Sequence, residues 1–156
     1  MNIIKNDTKQ VYAYGTQVTV TQSLEEIKRI LKKFNTDGFQ FTEDPFTKEI
    51  YITFLINSKG IGLIPIRLYL PKIYLDTQRI KMRFLEKESY RILVLILKAK
   101  LQLFELGESI ENIFLPNILV NKTQLLGEVL VKDHLPALVS GEKNLLKEVK
   151  GDFQIE

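Results

Sequence analysis

Tyr90-Arg91-Ile92-Leu93-Val94-Leu95-Ile96-Leu97-Lys98-Ala99-Lys100-Leu101-Gln102-Leu103-Phe104 decides the fold of this chain. Projected at about 100° per residue, Arg91, Lys98, Gln102 and Glu105 share one narrow stripe, and apolar side chains cover the rest of the circumference. A helix with so little polar surface is either covered on most sides or spans a membrane. The uninterrupted apolar run, Ile92 to Leu97, is far short of the roughly 20 residues that a bilayer demands. The stretch is therefore read as the central core helix of a soluble domain, running from about Glu86 to Leu106 and stopped by Gly107.

Such a helix needs an apolar surface to lie on, and the residues before it supply one. Ile50, Ile52, Phe54 and Ile56 alternate with Tyr51, Thr53 and Leu55, and Ile64, Ile66, Leu68 and Leu70 alternate with Leu63, Pro65, Arg67 and Tyr69. Period-two alternation of this kind makes half-buried strands, joined here by the loop Asn57-Ser58-Lys59-Gly60. Pro65 cannot donate to a ladder, which makes its strand an edge or places a bulge there. Phe39-Gln40-Phe41 starts a third strand, turned back by Glu43-Asp44-Pro45-Phe46-Thr47. Ser23 and Glu26 form a capping box that predicts a helix from about Leu24 to Phe34. Pro71 reads as the end of the sheet, with Lys72 to Leu85 a loop leading into the core helix. Beyond Gly107 the pattern gives a helical turn at Glu108 to Phe114, a short strand at Ile118 to Val120 and a helix from Thr123 to Val131.

The expected fold class is α+β: a helix, a three-stranded antiparallel meander, a long buried helix, then short C-terminal helices. Residues 1–15 are expected to form an N-terminal arm or edge strand, with a short strand at Gln10 to Tyr14. Residues 16–140 make a single domain and 141–156 a charged C-terminal tail. The 156-residue chain lacks cysteine and has one histidine, His134, so thiolate metal sites, thiol nucleophiles and histidine pairs are excluded. Gly60-Ile61-Gly62 lacks the Gly-Lys-Ser/Thr ending of a phosphate loop. No catalytic residue, metal or cofactor is expected, and the chain is read as non-enzymatic. The N-terminus lacks a signal-peptide pattern, so the expected location is cytoplasmic, with no membrane partner.

Charge is distributed unevenly. Residues 1–64 carry 8 Lys/Arg and 7 Asp/Glu, 65–100 carry 9 and 3, and 101–156 carry 5 and 9. A basic middle is the electrostatic footprint of a polyanion binder, or simply a solvated surface. On the first reading, Arg67, Lys72, Arg79, Lys81, Arg83, Arg91 and Lys98 contact phosphates. Tyr51, Tyr69 and Tyr74, interleaved with Arg67 and Lys72 on the sheet face opposite the helices, would stack the bases of DNA or RNA. Lys100 is anomalous, projecting between Ile96 and Leu97 on the apolar arc. Its ammonium must reach a carboxylate, extend its stem to water or meet a ligand phosphate, since an unpaired buried charge is costly.

Several segments together carry a resemblance. They are Thr16-Gln17-Val18-Thr19-Val20 before Ser23 to Phe34, Arg91-x4-Ile96-Leu97-Lys98-Ala99-Lys100-Leu101, Gly107, Phe114-Leu115-Pro116 with Ile118, Leu126-Gly127-Glu128, and Leu135-Pro136-Ala137-Leu138. From Thr16 to about Gly141 the chain resembles an uncharacterised family of small proteins encoded in bacteriophages and prophages. It departs at Tyr90, where such proteins carry tryptophan, and at Glu111-Asn112-Ile113, where they carry an acidic turn. The resemblance implies a phage context in a bacterial host and assigns no activity. The expected function is that of an accessory protein binding nucleic acid through the basic middle. The alternative is an interaction module acting on a host or phage protein, with the acidic C-terminal third as its docking surface. The order helix, three strands, helix is also that of double-stranded RNA-binding domains, whose basic cluster opens the last helix, whereas Lys98 and Lys100 lie inside this one.

Overall fold

The helix at the centre of the computed structural model spans Glu86–Glu105 (α2), with Leu93, Val94, Leu97 and Leu101 buried in the main core. Residues 2–34, 36–79, 81–134 and 136 are described. Among them, four α-helices and two three-stranded sheets make an α+β fold.

The larger sheet is the expected meander: β2 (Asp37–Glu43), β3 (Ile50–Ser58) and β4 (Gly62–Tyr69), antiparallel in that order. Its apolar face carries Ile52, Phe54, Ile66, Leu68 and Leu70, all buried against α2 and against α1 (Val20–Lys33). Leu93, Val94, Leu97 and Leu101 of α2 are buried in the same cluster, as are Ile27, Ile30 and Leu31 of α1. Each such side chain stabilises the fold by about 1.5–3 kcal/mol, so this cluster is the dominant favourable contribution. Pro65 sits on the outer ladder of β4, as an edge proline should. Leu70 N–H donates to Ile50 O at 2.7 Å, which fixes the alternation so that Pro65 bonds away from β3. There its carbonyl accepts from Leu119 N–H at 3.0 Å, and Ile118 bridges Ile66. The expected strand at Ile118 to Val120 is thus reduced to single bridges flanking β4.

Two expectations fail on the N-terminal side. First, α1 starts four residues early, capped by Thr19, whose hydroxyl accepts from Gln22 N–H while Gln22 Oε1 accepts from Thr19 N–H. That capping box leaves Ser23 buried inside the helix. Second, Lys72 to Leu85 is no simple loop and Pro71 does not end the pairing. β5 (Lys72–Leu75) lies between β1 (Asn2–Lys5), with which it is parallel, and β6 (Arg83–Phe84). The N-terminal strand is therefore at Asn2–Lys5 and not at Gln10 to Tyr14, where a 3-10 turn at Thr8–Gln10 gives way to turns. Leu70 and Pro71, both buried, reverse the in-out parity, so Ile73 and Leu75 face a second cluster with Val11 and Leu85. Ile92 of α2 packs on that cluster, and buried Ser89 accepts from Ile73 N–H and donates to Leu85 O.

Gly107, at φ +96°, ends α2 in a conformation that other residues adopt only under strain. α3 (Ile110–Phe114), capped by Ser109, closes the main core with Ile113 and Phe114. The expected helix from Thr123 to Val131 is shorter, α4 (Leu126–Val129), and runs into a π-turn at Leu130–His134. Gly127 is held here by contact: a Cβ would lie 2.9 Å from Pro116 O. The 141–156 tail and the His134 side chain lie outside the described residues, as do Leu135 and Ala137 to Leu138 of the last family-like segment.

Candidate nucleic-acid interface

The register of β3 with β4 sets Tyr51 opposite Tyr69 and Thr53 opposite Arg67, all on the face away from the helices. Cross-strand neighbours on one face are close enough to touch, and these do. Tyr69 meets Tyr51 edge-on, with ring centroids 5.4 Å apart at 65°. The Arg67 guanidinium lies 4.1 Å from the Tyr51 ring centroid. It donates through Nε to Thr53 Oγ1 at 3.3 Å and through Nη2 to Lys122 O at 3.2 Å. No carboxylate forms a salt bridge with it among the described residues, so its full charge is retained beside the ring. Alternation alone put Tyr51, Arg67 and Tyr69 on one face. The register set Thr53 opposite Arg67, and the folding back of residues 118–125 added Lys122, which had no sequence signal.

Lys72 donates to Lys48 O, bringing the ammonium to the end of β3 where Tyr51 and Tyr69 sit. Tyr74 is drawn elsewhere, to the second sheet, where it packs against Phe84 at 5.3 Å. Arg79, Lys81 and Arg83 are exposed on the segment after β5 and form no salt bridge among the described residues.

The α2 cations do not join this platform, because α2 covers the opposite face of the sheet. Arg91 Nη1 and Lys98 Nζ both bind Glu26 of α1, at 2.5 and 2.7 Å. Glu26 is lowered from its ordinary value chiefly by the Lys98 hydrogen bond, with Arg91 adding to it against the opposing cost of burial. Read from the sequence as a cap residue, Glu26 is in fact a clamp between the two long helices. Lys100 pairs with no carboxylate among the described residues and finds a backbone carbonyl instead. Its ammonium donates to Ile113 O at 2.6 Å, at the end of α3, and lies 5.3 Å from the Phe114 ring centroid. Burial pushes its pKa down. A backbone carbonyl at a helix C-terminus carries partial negative charge and suits an ammonium well.

The acidic third keeps exposed carboxylates at Glu105, Glu111 and Asp133, which form no salt bridge among the described residues. Glu108 is engaged with Asn112 and Ser109 N–H, and Glu128 accepts from Leu125 N–H. No group of three or more His, Cys, Asp or Glu that could hold a metal occurs among the described residues. No helix among them is long and apolar enough to cross a membrane. Compared with family models, curated proteins and solved structures, the chain matches none of them.

Proposed function

We propose that this chain is a non-enzymatic accessory protein, of phage type, that holds single-stranded nucleic acid on the open face of its antiparallel sheet. The observation that carries the reading is the Arg67 guanidinium stacked on Tyr51, beside Tyr69, with no acidic partner among the described residues. One face of the guanidinium rests on the ring, which leaves the other plane for a base and the remaining N–H edge for a phosphate. Tyr69 adds a second π surface, and Lys72 a cation at the same end of the strands. The phage context rests on the resemblance of the α1 and α2 segments. Of the basic residues named from sequence, Arg91, Lys98 and Lys100 drop out of the interface, and Arg79, Lys81 and Arg83 remain as exposed cations outside the platform.

Fluorescence anisotropy with labelled single-stranded and duplex oligonucleotides of one sequence tests this. The single strand is expected to bind more tightly, because duplex bases are already stacked on one another. Tyr69→Ala should weaken the single strand by about 1–3 kcal/mol, the worth of one base–aromatic stack. Equal loss on single strand and duplex, or no binding to either, would sink the proposal.

A further inference from the structure

β2 pairs only with β3 and is an edge of the larger sheet. Asp44 N–H donates to Glu49 O at 2.8 Å, which sets the hairpin's alternation. Thr42 and Gln40 then bond to β3, while the N–H and C=O groups of Phe39, Phe41 and Glu43 point outward. Edge strands are usually guarded by lysine, proline, a bulge or a covering segment. β2 contains neither lysine nor proline, and its register shift lies at Asp37/Phe39, before the open stretch. The opposite edge, β4, is flanked by Ile118 and Leu119.

Above this open row, between α1 and the strand, lies an apolar groove of about 340 Å³, lined by Leu24, Ile27, Phe39, Phe41 and Ile52 with Lys28 at its rim. Phe39 is 37% exposed there. A strand added to β2 would bond to Phe39 and Phe41, and its side chains at those same positions would project on the groove side. Glu43, at the end of the row, is exposed and makes no salt bridge among the described residues. A second copy of β2 is a poor occupant on charge grounds. Its sequence, DGFQFTE, holds no lysine or arginine to set opposite Glu43.

We infer that the β2 edge is a docking site for an extended segment of a partner protein, with apolar residues at alternate positions and a lysine or arginine opposite Glu43. The site is separate from the Tyr51–Arg67–Tyr69 face, and nucleic-acid binding neither supports nor weakens it.

The test is an amide NMR titration of the full chain with a capped peptide, Lys-Thr-Val-Thr-Val-Thr-Lys, whose lysines and valines share one parity, its glutamate-flanked counterpart, and the lysine peptide N-methylated at its valines. Expected are saturable binding of the lysine peptide, slowed hydrogen exchange at Phe39, Phe41 and Glu43, and affinity about tenfold or more lower for the methylated peptide, which loses its donors. Glu43→Lys should reverse the preference between flanks without touching the core. Phe39→Pro, which removes an outward donor that β3 does not use, should weaken binding while thermal unfolding confirms the fold. Equal binding of the methylated peptide, shifts centred elsewhere, or no saturable binding of either unmethylated peptide overturns the inference. So does protection of the same three amides by self-association without peptide.

Discussion

The cations behind the larger sheet and the one in front of it stand in different circumstances. Arg91 and Lys98 close on a single carboxylate that joins α1 to α2, and Lys100 is tucked against a helix-end carbonyl. Arg67 lies on an aromatic ring with only neutral groups as hydrogen-bond partners. The lesson is that an excess of positive charge along 65–100 is not one surface. Folding turns Arg91, Lys98 and Lys100 to partners behind the sheet, and the remainder determine what the protein can offer an anion.

The largest contrast is between neighbours in sequence on opposite faces of β3. Phe54 is buried and meets Phe114 edge-on at 6.0 Å, so Phe54→Ala should cost about 3–5 kcal/mol. Thr53→Ala, on the open face, should cost less than about 1 kcal/mol, through the weak Arg67 contact alone. Urea unfolding of both variants checks the assignment of faces, and comparable losses would break it.

Lys100→Met removes the donor to Ile113 O and should cost about 1.5 kcal/mol at neutral pH, the low end for a hydrogen bond to a charged group. Burial lowers the folded-state pKa of Lys100 below its usual 10.5, so between the two values the unfolded chain holds more protons. Wild-type stability should therefore rise relative to Lys100→Met as pH climbs from that lowered value toward about 10.5. A pH-independent gap would show that the ammonium is not buried as described.

Glu26→Gln releases both helix cations and should cost about 1 kcal/mol, because Lys98 is half exposed and Arg91 and Glu26 about a fifth exposed. Glu26 has a depressed folded-state pKa, so its contribution is present above the ordinary 4.5 and disappears as pH falls through the lower folded value. Acid titrations of stability for wild type and Glu26→Gln should converge below that point and separate above it.

What was legible in the sequence follows from the range of each interaction. The α2 boundaries and the β3–β4 pairing came through because a helix apolar on most sides and two alternating strands state their burial locally. Two Thr/Ser-x-x-Gln/Glu patterns lie four residues apart, Thr19/Gln22 and Ser23/Glu26, and only the second is read as a capping box from sequence. The first one forms, and Glu26 instead answers Arg91 and Lys98 from more than sixty positions away. The parallel pairing of β1 with β5 joins two four-residue strands about seventy positions apart, and Pro71 before β5 reads locally as a stop. Lys100 was conspicuous, but its partner is a main-chain carbonyl of α3, and backbone acceptors leave no mark in a residue sequence. Tyr51 and Tyr69 were placed on one face by alternation, whereas the stacking of Arg67 needed the register.

Arg67 and Lys98 belong to the same basic segment, and only their placement distinguishes them. Salt-titrated binding of a labelled single-stranded oligonucleotide to wild type, Arg67→Gln and Lys98→Gln therefore tests the central claim most directly. The account predicts that Arg67→Gln weakens binding and lowers the salt slope by about one phosphate contact, roughly 0.7 for a single strand, whereas Lys98→Gln leaves both near wild type. Equal effects of the two substitutions, or a slope that Lys98→Gln alone reduces, would contradict it.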